Sequence, residues 1–143
     1  MGNVSNILRT KSNIILSVTP DTIVYDAIEL MCDKNVSAVV VMENEKLAGI
    51  FTERDYARKL ILQGKASKET LIGEVMTVDL VTVTPSTLVE DCMRLMTGKF
   101  IRHLPVLEGN KLVGIISIGD VVKSVIEEQK FIIENMEHFI SGS

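Results

Sequence analysis

The sequence predicts an α+β fold: two tandem β-α-β-β-α repeats, related by pseudo-two-fold symmetry and packed as one module. Three observations carry this. The first is an unbroken internal register. Thr19-Pro20 and Thr84-Pro85, Leu30-Met31 and Leu95-Met96, Gly49-Ile50 and Gly114-Ile115, and Asp55 and Asp120 all stand 65 positions apart. A repeat of that length is a duplicated structural unit, and two copies fall short of the roughly three that a solenoid needs. The second is size. With 143 residues, 46% of them hydrophobic, the chain is long enough for one core, whereas a half of roughly 60 residues would be marginal alone. The third is the alternation, inside each copy, of short β-branched runs with one segment of helical period.

In the first copy, residues 14–18 are apolar and β-prone. Thr19-Pro20-Asp21-Thr22 reads as a helix start, followed by Val24, Ala27, Ile28 and Met31 at helical spacing, with Asn35 as the stop. Residues 37–42 suit a strand buried on both faces. Glu43-Asn44-Glu45 turns the chain into a second strand over 46–51, so these two form a hairpin. A helix is expected from Thr52 to Gln63, closed by Gly64. The second copy runs in the same order: strand 81–83, helix 87–97, a hairpin of 101–107 with 112–116 around Gly109-Asn110, and a helix from Ser117. The expected divisions are residues 1–63 for repeat one, 64–76 for a linker with a short helix at 71–76, 77–128 for repeat two, and 129–143 for a C-terminal helix. Along that last helix Phe131, Ile132, Asn135, Met136, Phe139 and Ile140 recur on one side. The stripe covers either this chain's own core or a second copy, and a homodimer is favoured because both repeats already supply a core.

Composition narrows the function classes. A net charge of −4 with no basic stripe argues against nucleic acid. No apolar run approaches the roughly 20 residues of a membrane span, and no secretory signal is legible, so a cytoplasmic location is expected. Cys32 and Cys92 stand apart, each on an expected apolar helix face, and read as small hydrophobes. Neither His103 nor His138 lies among enough ligand-type residues for a zinc site, and no metal is expected.

The chemistry concentrates in two equivalent segments, 49–55 and 114–120. Each is a glycine before a strand end, a hydroxyl residue (Thr52, Ser117), and an acid three positions later (Asp55, Asp120) at the opening of a helix. A hydroxyl followed three residues on by an acid is a capping box, worth about 1 kcal/mol to a helix. By itself the pattern divides evenly between a cap and a site. The glycine leaves room for a close approach. Arg54 puts a cation at a helix N-terminus, against the macrodipole. Arg102-His103 interrupts the start of an apolar strand where copy one has Ser37-Ala38, a costly arrangement unless an anion meets it.

These residues identify a resemblance. The whole chain is similar to a tandem pair of CBS domains, the Bateman module, through the duplicated Gly-h-h-[Ser/Thr]-x-x-Asp at 49–55 and 114–120 (h, apolar). Val75-Met76-Thr77 leading to Val81-Thr82-Val83-Thr84-Pro85, and Ile101-Arg102-His103-Leu104-Pro105-Val106, support it. The resemblance implies a regulatory, non-catalytic, energy-sensing module. It would bind adenosine-containing ligands (AMP above all, ADP, ATP, NAD or S-adenosylmethionine) in clefts between the repeats and signal to a protein target. It further implies one cleft centred on Asp55 with Thr52, with Thr77, Leu80 and Val81 against the adenine and Arg102 and His103 on phosphate. The other would centre on Asp120 with Ser117, its base pocket lined by Thr10, Ile14, Ile15, Ser37 and Ala38, with Arg54 on phosphate. Two other readings compete: a structural dimerisation module with degenerate clefts, and a nucleotide-processing enzyme, for which the sequence offers no P-loop.

Overall fold

A computed structural model describes residues 2–11 and 14–141. The described chain forms two compact units. One holds residues 14–81 and 109–112; the other holds the N-terminal segment, 82–108 and 113 to the C-terminus.

In the first unit, β1 (Ser17–Val18) lies parallel to β2 (Ala38–Glu43), which runs antiparallel to β3 (Lys46–Thr52). The β2–β3 turn places both Asn44 and Glu45 at positive φ, the backbone of a tight I′ hairpin whose twist matches that of the strands. Helix α2 (Val24–Lys34) follows β1 and turns Val24, Ala27 and Met31 inward. Asn35, in the left-handed region, closes it. Val39, Val41 and Phe51 from the sheet meet that helix in one cluster with Leu60, Ile72 and Val75.

The expected helix after Thr52 begins as one but does not continue so. Helix α3 (Glu53–Asp55) passes into a π turn at Tyr56–Leu60 and a 3-10 turn at Ile61–Gln63. The wider turn rotates the later side chains, seating Leu60 in the core while Lys59 reaches back to Asp55. Gly64 ends the segment at positive φ, as its lack of Cβ allows.

The second unit repeats the plan with one strand worn down. Helix α5 (Val89–Lys99) precedes the hairpin of β4 (His103–Glu108) and β5 (Lys111–Ser117). The strand expected over 81–83 is reduced to a single parallel bridge, Val83 to Val106, the counterpart of Val18 opposite Val41. Helix α5 closes on Phe100 at φ 55° where copy one uses Asn35. Val89, Cys92 and Met96 of the helix and Leu104, Val106 and Ile116 of the hairpin are all buried in this unit. Burial pushes the Cys92 thiol upward from its ordinary pKa, in keeping with a small apolar filler. Cys32, one position past the inward-facing Met31, is exposed instead.

The opening helix of each repeat joins the other repeat's unit. Helix α1 (Val4–Thr10), expected with repeat one, packs with repeat two: Val4 N–H donates to Thr87 O at 2.9 Å and Ser5 N–H to Pro85 O at 2.8 Å. Helix α4 (Ile72–Val75), which leads into repeat two, packs with repeat one: Ile72 N–H donates to Thr22 O at 2.8 Å and Gly73 N–H to Pro20 O at 2.9 Å. The receiving carbonyls, Thr22 and Thr87 or Pro20 and Pro85, are repeat equivalents. Ile7 and Ile72, likewise equivalent, are both buried. Periodicity shows that such a helix exists but not which face will receive it, so the compact units are offset from the repeats along the chain.

The final helix, α6 (Ile118–Ser141), is continuous rather than divided at residue 128. Val121 is buried, but from Gln129 onward every described residue is exposed. No helix among the described residues is long and apolar enough to cross a membrane.

Candidate functional site

Both acids close reciprocal capping boxes. Thr52 N–H donates to Asp55 Oδ2 at 3.0 Å while Asp55 N–H donates to Thr52 Oγ1 at 3.1 Å. Ser117 N–H donates to Asp120 Oδ2 at 2.8 Å and Asp120 N–H to Ser117 Oγ at 3.2 Å. The capping role is therefore real in both copies. What separates a cap from a binding group is what remains on each carboxylate.

Asp55 is 7% exposed and its acceptor sites are filled from within. Oδ2 takes both the N–H and, at 3.1 Å, the hydroxyl of Thr52. Oδ1 takes the Thr77 hydroxyl at 2.9 Å and the Lys59 ammonium at 3.2 Å. An ionised carboxylate has about four acceptor positions, and three hydrogen bonds together with the Lys59 ion pair, whose ammonium also donates to Thr77 Oγ1 at 3.3 Å, take them up. Thr77 is delivered by an antiparallel bridge to Ile50, with N–H···O distances of 3.0 and 2.8 Å. That bridge can form because Gly49 has no Cβ: one built there would stand 2.8 Å from Thr77 O.

Asp120 is different. Every hydrogen bond that the described residues make to its carboxylate falls on Oδ2: Ser117 N–H at 2.8 Å and Lys11 Nζ at 2.6 Å. Lys11 also donates to Ile115 O at 2.7 Å. The two side chains keep 31% and 24% of their exposure. Burial pushes the Asp120 carboxyl upward, but the hydrogen bond and charge of Lys11 with the Ser117 donors outweigh it, and the pKa ends below the usual value. Asp120 is thus held ionised with one oxygen in reserve.

His103 belongs to this second constellation. Burial lowers its pKa first, and the Lys11 and Arg102 cations lower it further, against the opposing pull of Asp120. The imidazole is therefore biased to the neutral form beside a cationic pair.

The expected residues fall into two groups. Thr52, Asp55 and Thr77 come together in one unit, with Leu80 and Val81 half-buried in the irregular segment after Thr77. Ser117 and Asp120 come together in the other, where Thr10 ends helix α1 next to Lys11. Ile14, Ile15, Ser37, Ala38 and Arg54 lie in the unit of Asp55, while Arg102 and His103 lie in that of Asp120. Ser37 O accepts from Glu53 N–H at 3.1 Å, as Arg102 O accepts from Ile118 N–H at 2.8 Å. Each pair thus brackets the hydroxyl residue of its own repeat.

Sequence reasoning missed both lysines. Lys59 was visible as Asp55 plus four, a spacing that pairs charges on a helix. Lys11 carried no such signal, because its partner lies 109 positions away. Among the described residues no group of three or more His, Cys, Asp or Glu is placed to hold a metal ion.

Comparison with known proteins agrees with this duplicated architecture. The CBS domain family matches twice, over residues 4–62 and 72–127. CBS domain-containing protein CBSX3, mitochondrial, of Arabidopsis thaliana is 46% identical over 129 residues; the match covers 87% of this chain and 63% of that longer protein. CBS domain-containing protein YhcV of Bacillus subtilis is 36% identical over 117 residues, covering 82% and 83%. Among solved structures, a putative signal-transduction protein with CBS domains from Burkholderia ambifaria superposes with a TM-score of 0.86 at 50% identity, covering 89% of this chain and 96% of its own. CBSX2, solved in complex with AMP, superposes with a TM-score of 0.75 at 27% identity, covering 90% and 99%. The internal repeat, its capped acids and these matches together place the chain in the CBS domain family, as a tandem pair.

Proposed function

We propose that the protein is a non-catalytic regulatory module that binds an adenine nucleotide, AMP foremost, and relays the bound state to a protein target. The observation that carries this reading is the Asp120 carboxylate. It is ionised, anchored through one oxygen, and partly exposed beside a lysine and a histidine. An acceptor-only group of this kind suits the hydroxyl donors of a ribose, and the Arg102 guanidinium of the same unit suits a phosphate. The complex of CBSX2 with AMP supports the choice of nucleotide. Binding can signal only if the nucleotide prefers one conformation over another.

The test is a thermal-shift and calorimetric screen of protein stripped of copurified ligand, with AMP, ATP, NAD, S-adenosylmethionine and GMP. At a hundredfold excess over the dissociation constant, a binding adenine compound stabilises by about 2.7 kcal/mol. No response to any adenosine compound would return the module to a structural role, and product formed from ATP or AMP would make it an enzyme.

The same proposal includes a homodimer built on helix α6. Phe131, Ile132, Ile133, Met136, Phe139 and Ile140 stand 47–86% exposed. Together they offer on the order of 700 Å², close to the ~800 Å² that a standard interface takes from each partner. Asn135, among the residues lining the groove of this stripe, is the polar kind of seam residue that fixes register between helices. Sedimentation should show a dimer for the wild type and a monomer for Ile132→Glu/Phe139→Glu. A wild-type monomer at tens of micromolar would refute it.

A further inference from the structure

The two acids sit in different surroundings, and the difference assigns a role to Lys11 that the repeat pattern gives no hint of. At Asp55 the lysine is Lys59, and with Thr77 and Thr52 it completes the carboxylate. At Asp120 the lysine comes from the end of helix α1, and two bonds hold it: Asp120 Oδ2 at 2.6 Å and Ile115 O at 2.7 Å. An ammonium has three N–H donors and a carboxylate oxygen two acceptor positions. The pair therefore keeps one donor on Lys11 and the Oδ1 acceptor on Asp120, within one partly exposed ion pair.

A donor next to an acceptor is complementary to a vicinal diol, whose one hydroxyl donates while the other accepts. We infer that Lys11 is a specificity-determining residue for the ribose: Asp120 Oδ1 accepts from one hydroxyl and Lys11 Nζ donates to the other. This rests on the reading of the Asp120 site as a nucleotide site. Lys11 is then a reader of sugar chemistry as well as a counter-ion for the acid. Held at both ends by the protein, it loses little freedom when the diol arrives, as preorganised groups do. The Asp55 site, with its oxygens already filled, lacks this donor–acceptor edge.

The experiment measures AMP, 2′-deoxy-AMP and 3′-deoxy-AMP by calorimetry on the stripped full chain as wild type, Lys11→Met and Asp120→Asn. Wild type should bind AMP about tenfold or more tighter than either deoxy analogue, the factor expected of one hydrogen bond to a charged group. Lys11→Met should lose discrimination against one analogue and keep it against the other. Asp120→Asn should do the reverse, which keeps the test decisive if the Met variant does not fold. If Lys11→Met weakens all three ligands by one common factor, or leaves both discriminations intact, the inference is overturned and Lys11 is a counter-ion only. If wild type binds none of the three, the nucleotide reading itself fails, a result distinct from binding without loss of discrimination.

Discussion

Gly49 and Gly114 occupy the same position in the two repeats, yet alanine should be tolerated at only one of them. A Cβ on Gly49 would lie 2.8 Å from Thr77 O and 2.8 Å from Met76 Sδ. The carbonyl cannot yield, because it accepts from Ile50 N–H at 3.0 Å while Thr77 N–H donates back at 2.8 Å. A Cβ on Gly114 would meet Leu8 Cδ2 at 2.7 Å, and the next nearest atoms lie at 3.5 and 3.7 Å. That contact is the end of a flexible side chain, which can rotate away. Overpacking costs about 1–3 kcal/mol. For Gly49→Ala the upper half of that range applies, since a weakened backbone hydrogen bond adds about 1 kcal/mol. For Gly114→Ala the loss should stay below about 1 kcal/mol, by the same reasoning. Urea unfolding of both variants measures this directly. In thermal melts the drop should be about 8 °C for Gly49→Ala against about 4 °C or less for Gly114→Ala. Equal losses, or the larger loss at Gly114, would show that the rigid backbone contact is not what requires glycine here.

Thr77→Val removes a donor from a buried acid and should cost about 1–2 kcal/mol. Lys59→Met removes a partner that is 42% exposed and should cost less than about 1 kcal/mol; the reverse order in urea unfolding would undo the account of Asp55. His103 has its folded pKa lowered, by burial first and then by Lys11 and Arg102. Its contribution to stability is therefore complete above the unfolded value near 6.5 and is lost as pH falls from there through the folded value. His103→Gln should lose less stability than wild type between about pH 7.5 and pH 5.5, and an identical loss in denaturation midpoints would contradict this. Phe100→Asn places the residue used by copy one at the left-handed closure of α5. It should raise stability by about 1 kcal/mol, the order of the left-handed penalty for an ordinary side chain; a lowered melting temperature would refute it.

The repeat register made the fold legible because it fixes local elements twice. Val24, Ala27 and Met31 and their counterparts Val89, Cys92 and Met96 are buried in both copies. The hairpins stand where the turn residues put them. The capping pairs Thr52–Asp55 and Ser117–Asp120 were equally visible, since three-residue spacing dictates their geometry. What stayed hidden depends on tertiary contact. The π turn at Tyr56–Leu60 answers to the seat of Leu60 in the core, which no local propensity encodes. Lys11 reaches Asp120 only because helix α1 docks beside Thr87 and Pro85. The two acids look alike in sequence, and it is the lysine and threonine arriving from elsewhere that leave one saturated and the other open.

The trade of opening helices has a consequence for dissecting the molecule. A gene fragment ending at residue 63 would keep α1 without the carbonyls of Thr87 and Pro85 that receive it, and would lose Ile72 and Val75 from its interior. Neither half is a self-sufficient piece of chain; a lone repeat could restore both sets of contacts only by exchanging its leading segment with a twin molecule. Duplication within one polypeptide makes that exchange permanent and independent of concentration. An excision meant to keep one compact unit should begin at residue 14 and run through Val81, tracking the fold and not the repeat and leaving out only residues 109–112 of that unit.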